Sequence, residues 1–396
     1  GAALLLALPL LTLASLVGCT EPNPDYQPKE PVCDTANGVS YLAESVGLMH
    51  PNKVDIVFVV ENGPGMAAQQ NALATAMPAF VSRLVADTAL DWHLAVTTTD
   101  LADGGAFKVG GAGDRDCVST VPKQLDRTVT NVGVVAACAV RQGEAGSAFP
   151  QPFAAAQLAI NGTANVQTGG PNAGFFRSDA RLVVVFFGLH DDCTFVTPNP
   201  ATQPFDASAP SNCIAQKDRL SSLADVVGFF DARFRDRTQR PAIAGDPVSL
   251  VVIGGPTGAT TTQGDGSVAP ACTSLADAYA ADRLAAVANA GALRHRSLVA
   301  NICTRDFGPV LDNVFDATIA PSDEGVCLTL APVGDPVGLW RIRAGQGTSS
   351  EPLLTSDELI SLGSDAACAT SRVGIPASAL EGSGTDFEIR YCAVRP

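Results

Sequence analysis

The chain has 396 residues, 46% of them hydrophobic and 16% charged, a balance that excludes a disordered polar chain and provides for a large core. Its 40 Asp and Glu against 25 Lys and Arg leave a net charge of −15, which excludes binding to nucleic acid or anionic lipid through charge. Eleven cysteines without a Cys-x-x-Cys, and four scattered histidines (His50, His93, His190 and His295), argue against zinc and against thiol redox chemistry.

The segment from Ala2 to Gly18 is uncharged and rich in Leu and Ala, and it ends Leu16-Val17-Gly18-Cys19. An apolar stretch followed by small residues reads as a secretory signal, expected over residues 1–18 and excluded from the fold. The Leu-x-Gly-Cys ending resembles the lipobox of bacterial lipoproteins, which implies lipidation of Cys19 and attachment to a membrane through that lipid. The alternative is a transmembrane anchor, since the run approaches the roughly 18 apolar residues that can span a bilayer. Pro9, Thr12 and Ser15 interrupt it, and no basic cluster follows. In that family Thr20, in place of an Asp, implies the outer membrane. Pro22, Pro24, Pro28 and Pro31 among polar residues suggest a semi-rigid spacer, and a tether is expected over residues 19–49. With Cys19 set aside, Cys33, Cys117, Cys138, Cys193, Cys213, Cys272, Cys303, Cys327, Cys368 and Cys392 form an even set, expected to pair as disulfides in an oxidising compartment. Spacing leaves the connectivity open; Cys117–Cys138 and Cys193–Cys213 would each close a modest loop.

Val54 to Val60 is a nearly continuous apolar run, as expected of a strand buried on both faces. A helix follows, with Met66, Leu73, Met77, Phe80, Val81 and Leu84 at three- and four-residue spacing and a kink expected at Pro78. Further strands are expected at Trp92–Thr99, Arg181–Phe187 and Val248–Ile253. Helical spacing recurs at Phe153–Ile160, Leu220–Phe234, Leu275–Ala290 and Phe307–Phe315. Buried strands alternating with helices predict an α/β fold, a doubly wound and mostly parallel sheet. From about Asp323 short alternating stretches such as Leu339–Arg343 and Phe387–Tyr391, with Gly and Ser turns, predict a small β-rich module over residues 321–396.

In such sheets ligands bind at the carboxyl ends of the strands. Gly63-Pro64-Gly65-Met66-Ala67-Ala68 fits the G-x-G-x-x-A dinucleotide fingerprint, but Glu61 would set a negative charge beside the pyrophosphate. No acidic residue ends the second strand at the expected distance. The stretch 54–66 instead resembles the opening of a von Willebrand factor type A domain, as does Asp91 to Asp100. Val185 to Cys193, with its Asp191-Asp192-Cys193, and the stretch from Ser297 to Phe307 extend the resemblance over residues 50–320. The family's first loop, Asp-x-Ser-x-Ser, holds Mg²⁺ with a carboxylate and two hydroxyls, oxygen ligands of the kind hard cations need. Here the corresponding residues are Glu61, Gly63 and Gly65, and a later Asp is replaced by Leu189. The resemblance therefore implies the fold with a degenerate cation site and no cofactor.

Asp191 and Asp192 read as exposed turn residues, His190 as a surface residue, and Glu61, Asp191 and Asp192 as weak candidates for a rebuilt Mg²⁺ or Ca²⁺ site. None of H-E-x-x-H, G-x-S-x-G and G-x-x-x-x-G-K-[ST] occurs, and no pair of carboxylates stands out as acid and base. The expectation is a non-enzymatic envelope lipoprotein, tethered at the outer membrane, that binds a protein or glycan and not nucleic acid. A metal-dependent adhesin and a secreted hydrolase are the alternatives.

Overall fold

The computed structural model describes residues 33–47, 50–110, 117, 122–177, 180–196, 219–235, 248–262, 268–290 and 297–320. Toward the C-terminus it describes 324–328, 330–334, 338–343, 347–348, 353–355, 359–363, 371–376 and 386–394. The signal, Cys19, Cys213, His295 and Cys368 lie outside the described residues.

The first elements in chain order are strands β1 (Val39–Gly47) and β2 (His50–Val60), helix α1 (Ala67–Ala86), and strands β3 (Asp91–Thr98) and β4 (Gln124–Leu125). Helices α2 (Val132–Ala139), α3 (Pro152–Asn161) and α4 (Thr163–Val166) precede β5 (Ala180–Phe187), α5 (Leu223–Arg235) and β6 (Val248–Gly254). Four short strands follow, β7 to β10 (Thr261–Thr262, Val268–Ala269, Cys272–Thr273 and Asp277–Ala278). Then come α6 (Asp282–Ala288), β11 (Leu298–Asn301) and α7 (Gly308–Val314), which runs into a π-helical turn, Phe315–Ile319. Strands β12 to β18 (Glu324–Leu328, Gly338–Arg343, Gly347–Thr348, Leu354–Thr355, Ile360–Gly363, Ser371–Ile375 and Asp386–Val394) complete the described elements.

Six strands form one sheet in the order β11-β6-β5-β2-β3-β4, parallel throughout except for the edge strand β4. Side chains alternate between the two faces of a strand, and here both faces are covered. Val54, Ile56, Phe58 and Val60 pack with Leu73, Met77 and Phe80 of α1 and Leu311 and Val314 of α7. Val57 and Val59 turn to the other side, against Phe153 and Ile160 of α3, Phe230 of α5 and Leu284 of α6. That two-sided burial is why these strands read as apolar throughout.

Local packing shapes two of the helices. α1 continues through Pro78 as one 20-residue helix. The all-apolar α2 crosses it at Gly133, where a Cβ would stand 3.2 Å from the Pro78 Cα. The helix expected over Leu275–Ala290 begins only at Asp282, because Asp277 and Ala278 pair with Thr273 and Cys272 in a hairpin that the Cys272–Cys303 disulfide ties down.

The second unit is antiparallel. β18 lies between β1 and β13, with β14 and β15 pairing onto β13, and β12, β17 and β16 form a separate three-stranded sheet. Val326, Val373 and Ile375 share a core with Leu339, Phe387, Ile389 and Tyr391, so the two sheets bury apolar faces against each other. This corrects the tether expected over residues 19–49. Residues 39–47 form a strand in register with β18 from Val39↔Val394 to Gly47↔Asp386, and Cys33 is bonded to Cys392. The proline-rich character stops at Pro31, and the residues beyond it carry the Val, Tyr and Leu of a strand. The module expected over residues 321–396 thus takes in part of the N-terminal chain as well.

Both connections to this antiparallel unit leave from the amino-terminal end of the parallel strands. β1 is followed within three residues by β2, and the π-helical turn that precedes β12 is held by Arg181, at the start of β5. Its guanidinium donates to the carbonyls of Thr318 (3.0 Å) and Ile319 (2.6 Å). At the same end Arg177 grips buried Asp55 through its backbone N–H (2.7 Å) and its Nε (2.9 Å).

The Cys33–Cys392 bridge closes a loop with a sequence separation of 359, so its removal should cost near the upper end of the roughly 2–5 kcal/mol typical of native disulfides. The check is urea denaturation of a Cys33→Ser/Cys392→Ser variant. A midpoint indistinguishable from that of the parent would mean that strand pairing alone holds β1.

Candidate functional site

The parallel strands all end at one edge, and the sheet's hydrogen bonding runs one residue beyond them. Glu61 N donates to Phe187 O (2.9 Å), Thr99 N to Val60 O (3.1 Å), Gly188 N to Ile253 O (3.2 Å) and Ile302 N to Gly254 O (2.8 Å). Those bonds fix the starts of the loops that make up the strand-end face.

Glu61 is 1% exposed and both its carboxylate oxygens face His190. Oε1 lies 2.6 Å from His190 Nδ1, and Oε2 accepts from the His190 backbone N–H at 3.1 Å. The imidazole stacks on Tyr279, with ring centroids 5.0 Å apart and planes 19° from parallel, while Tyr279 N donates to Leu189 O (2.7 Å). Burial pulls the His190 pKa down, but the Glu61 charge and hydrogen bond outweigh it, and the pKa ends above the usual value. Gly188 makes room for the pair: a Cβ there would stand 2.6 Å from Glu61 Oε2. His190 was expected at the surface; instead it closes over Glu61, leaving its side chain 12% exposed.

Asp191 and Asp192 are also corrected, from exposed turn residues to buried ones at 2% and 0% exposure. The carboxylate of Asp191 accepts from the backbone N–H of Asp192 (2.9 Å), Arg283 (2.8 Å) and Leu284 (3.1 Å), the last two in the first turn of α6. Asp192 accepts from Thr194 Oγ1 (2.5 Å), the Phe153 N–H of α3 (3.3 Å) and Arg283 Nη2 (3.3 Å). The first N–H groups of a helix have no partner within it and carry its positive dipole end. The two carboxylates therefore serve as caps donated from a distance. Cys193, beside them, is disulfide-bonded.

A fourth acid was not found from sequence. Glu144 Oε1 accepts from the N–H of Gly65 (2.9 Å) and Ala67 (3.1 Å), at the entry to α1. Its loop is held by buried Gln70, whose Nε2 donates to Glu61 O and Gly143 O and whose Oε1 accepts from Gln142 N and Gly143 N. Glu144 thus occupies the N–H groups that the pyrophosphate of a dinucleotide would need at this Gly-x-Gly loop. No periodicity or motif marks a lone Glu in a Gly-containing loop.

As for metal ligation, Glu61 is taken up by His190 and Asp191 and Asp192 by helix ends. Gly63 and Gly65 offer no side chain, and Leu189 is buried in the apolar core. Asn62 Oδ1, Thr99 Oγ1 and Gln151 Oε1 lie buried without a protein partner, and all three are neutral oxygens. Among the described residues no group of three or more His, Cys, Asp or Glu is disposed to hold a metal ion, and no helix is long and apolar enough to cross a membrane.

No protein-family model matches the chain, and no curated protein matches it. Solved structures similar to it include the pilus adhesin SpaC from Lactobacillus rhamnosus GG in its open conformation, at 11% identity and a TM-score of 0.33, covering 90% of this chain and 41% of that one. Proximal thread matrix protein 1 from the mussel byssus shares 10% identity at a TM-score of 0.30, covering 73% of this chain and 51% of that one. The pilus adhesin RrgA from Streptococcus pneumoniae shares 11% at 0.30, covering 91% and 60%. The chain thus spans less than two thirds of these proteins, and with TM-scores this low the functional reading rests on the site itself.

The buried groups of this face predict a pH dependence. Burial pushes Asp191 up to about 7 from 3.8, against the N–H donors that favour its charge, and burial likewise raises Asp192. Between those values the folded chain holds a proton that the unfolded chain has released, so this contribution to stability falls as pH rises from about 4 to about 7. The raised His190 continues the decline above about 6.5, since its contribution is lost as pH rises through its folded pKa. Unfolding free energy measured across that range should decline, and less steeply in Asp191→Asn. An unchanged slope in the variant would assign the dependence elsewhere.

Proposed function

We propose that this chain is a lipid-tethered envelope protein whose von Willebrand factor A-like unit, residues 50–320, binds a protein or glycan partner through its strand-end face without a metal ion. The observation that carries the reading is the Glu61–His190 pair. The carboxylate that would hold a cation in this fold gives both oxygens to His190, and the positions of the two hydroxyls are glycines. The fold assignment is supported by a parallel sheet with one antiparallel edge strand and helices on both faces. Three disulfides among the described residues (Cys33–Cys392, Cys117–Cys138 and Cys272–Cys303) suit an oxidising compartment.

A binding role accords with how the titratable groups of the face are disposed. Glu61 is engaged by a histidine, and Asp191, Asp192 and Glu144 by helix starts, which leaves them as framework and not as a converging acid, base and nucleophile. The antiparallel unit joins at the opposite end of the parallel strands, so a tether leading to Cys33 would leave the strand-end face open to partners. In this reading the signal covers residues 1–18, the lipid is on Cys19, and the spacer ends before β1.

Three measurements test the proposal. Calorimetric titration with Mg²⁺ or Ca²⁺ should give no binding heat in the millimolar range; micromolar binding abolished by Glu61→Ala would establish a metal-dependent adhesin instead. Cys19→Ala should move the protein from the membrane to the soluble fraction, and retention of the variant in membranes would point to an uncleaved anchor. A photo-crosslinking residue at exposed Pro64, in the first loop, should give discrete adducts in intact envelopes, while one at exposed Asp91, at the far end of β3, should not. Equal labelling from both positions would overturn the assignment of the face.

A further inference from the structure

The disulfides differ sharply in the order in which their partners become available. Cys117 and Cys138 are separated by 21 residues and Cys272 and Cys303 by 31, whereas Cys33 and Cys392 are separated by 359. A chain exported from its amino-terminal end brings Cys33 into an oxidising compartment together with Cys117 and Cys138, long before Cys392. Among the described residues, the partners of Cys33 and of the strand that follows it come from the other end of the chain. The strand that follows it, β1, is built against β18, and its nine registered pairs are all made with residues 386–394.

Loop-closure statistics act in the same direction. In an unfolded chain the chance that two thiols meet falls as about the −3/2 power of the loop between them. The loop from Cys33 to Cys117 is roughly a quarter of the length of that to Cys392, so even in the complete chain the wrong encounter is favoured roughly eight- to ninefold. A Cys33–Cys117 bridge would also strand Cys138, whose native partner is then occupied.

We infer that the native Cys33–Cys392 bridge is reached by exchange, and that this chain is a folding substrate of a thiol–disulfide isomerase, a protein presenting a reactive thiolate. The thiolate of the isomerase attacks the Cys33 sulfur of a non-native bridge; a new sulfur–sulfur bond forms, the old one breaks, and Cys117 leaves as thiolate. Once β18 has docked on β1, the Cys392 thiolate attacks the same Cys33 sulfur and expels the isomerase thiolate, which regenerates the catalyst. These two steps exchange bonds without net electron transfer. The freed Cys117 and Cys138 then pair by giving two electrons and two protons to a disulfide oxidant, which is reduced to its dithiol. Formation of the edge of the antiparallel sheet is the event that draws the last exchange toward the native bridge, because it sets Cys33 beside Cys392.

The test is oxidation of the reduced, unfolded full chain, with Cys19, the residue assigned to the lipid, replaced by Ala so that it cannot compete, under two conditions, with peptide mapping of the bridges by mass spectrometry. With diamide alone, which provides no exchanging thiol, Cys33 should be found mainly on partners other than Cys392. With protein disulfide isomerase in a glutathione buffer, the Cys33–Cys392 peptide should increase severalfold. A Cys117→Ser/Cys138→Ser variant removes the nearest competitors and should recover much of the native bridge in diamide alone; this variant retains β1 and β18. The same variant secreted into a bacterial periplasm lacking its disulfide isomerase should carry more Cys33–Cys392 than the parent does there. Native bridging of the parent in diamide at the level reached with isomerase would overturn the inference. So would a serine variant that bridges no better than the parent in diamide.

Discussion

A carboxylate removed from water must meet donors, and in this chain that demand organises the structure around the sheet. Leaving a charge buried and unpaired costs several kcal/mol, and basic side chains are scarce, 25 against 40 acids. Asp55, Glu61, Asp191 and Asp192 are nevertheless all buried. Asp55 takes Arg177, Glu61 takes His190, and Asp191 and Asp192 draw on the backbone N–H groups that begin α6 and α3. Each solution joins segments far apart in sequence, so satisfying the charges also places the loops. The helix ends gain as much as the acids do, since their first N–H groups would otherwise lack partners.

The same arithmetic shapes the strand-end face. In a chain so acidic, a cation site would be the obvious way to neutralise clustered carboxylates. Here Glu61 faces a protonatable ring, and Asp191 and Asp192 face the starts of two helices. Glu144 extends the pattern to the entry of α1, so that three helix starts and the His190 loop are each held by an acid accepting N–H groups. The face is rigid in its framework and presents loops, a common arrangement for recognition on a fixed scaffold.

The parallel core was legible in the sequence because strands buried on both faces leave a plain signature: Val54 to Val60, Arg181 to Phe187 and Val248 to Ile253 read as apolar runs and lie side by side in the sheet. Elements whose identity depends on a distant partner were not legible. β1 has ordinary strand composition but no turn signal to pair it with a neighbour, and its partner is the last described strand. Asp277 and Ala278 fit a helical spacing with the residues that follow, and a short hairpin under a disulfide overrides it. At the site, Glu61 was visible as a departure from a family pattern, yet its partner His190 lies 129 residues away and the pair depends on the missing side chain of Gly188. Burial of Asp191 and Asp192 was misjudged for a related reason. Adjacent acids ordinarily mark a solvated turn, and only the neighbouring helix ends make the interior tolerable for them.

The path of the chain through its two sheets has a consequence for how such a protein can be taken apart. Because β1 belongs with β18, the parallel unit is an insertion between the first strand of the antiparallel unit and the rest of it, entered and left at one end. Residues 50–320 form the excisable piece, with both termini close to the same edge. A cut at residue 321 would divide the chain differently, leaving one fragment with an unpaired nine-residue strand and the other with an open sheet edge, each a template for pairing with foreign chains. For the same reason, the inserted unit could be exchanged for another with adjacent ends, while the antiparallel unit and the segment leading to Cys33 stayed as they are.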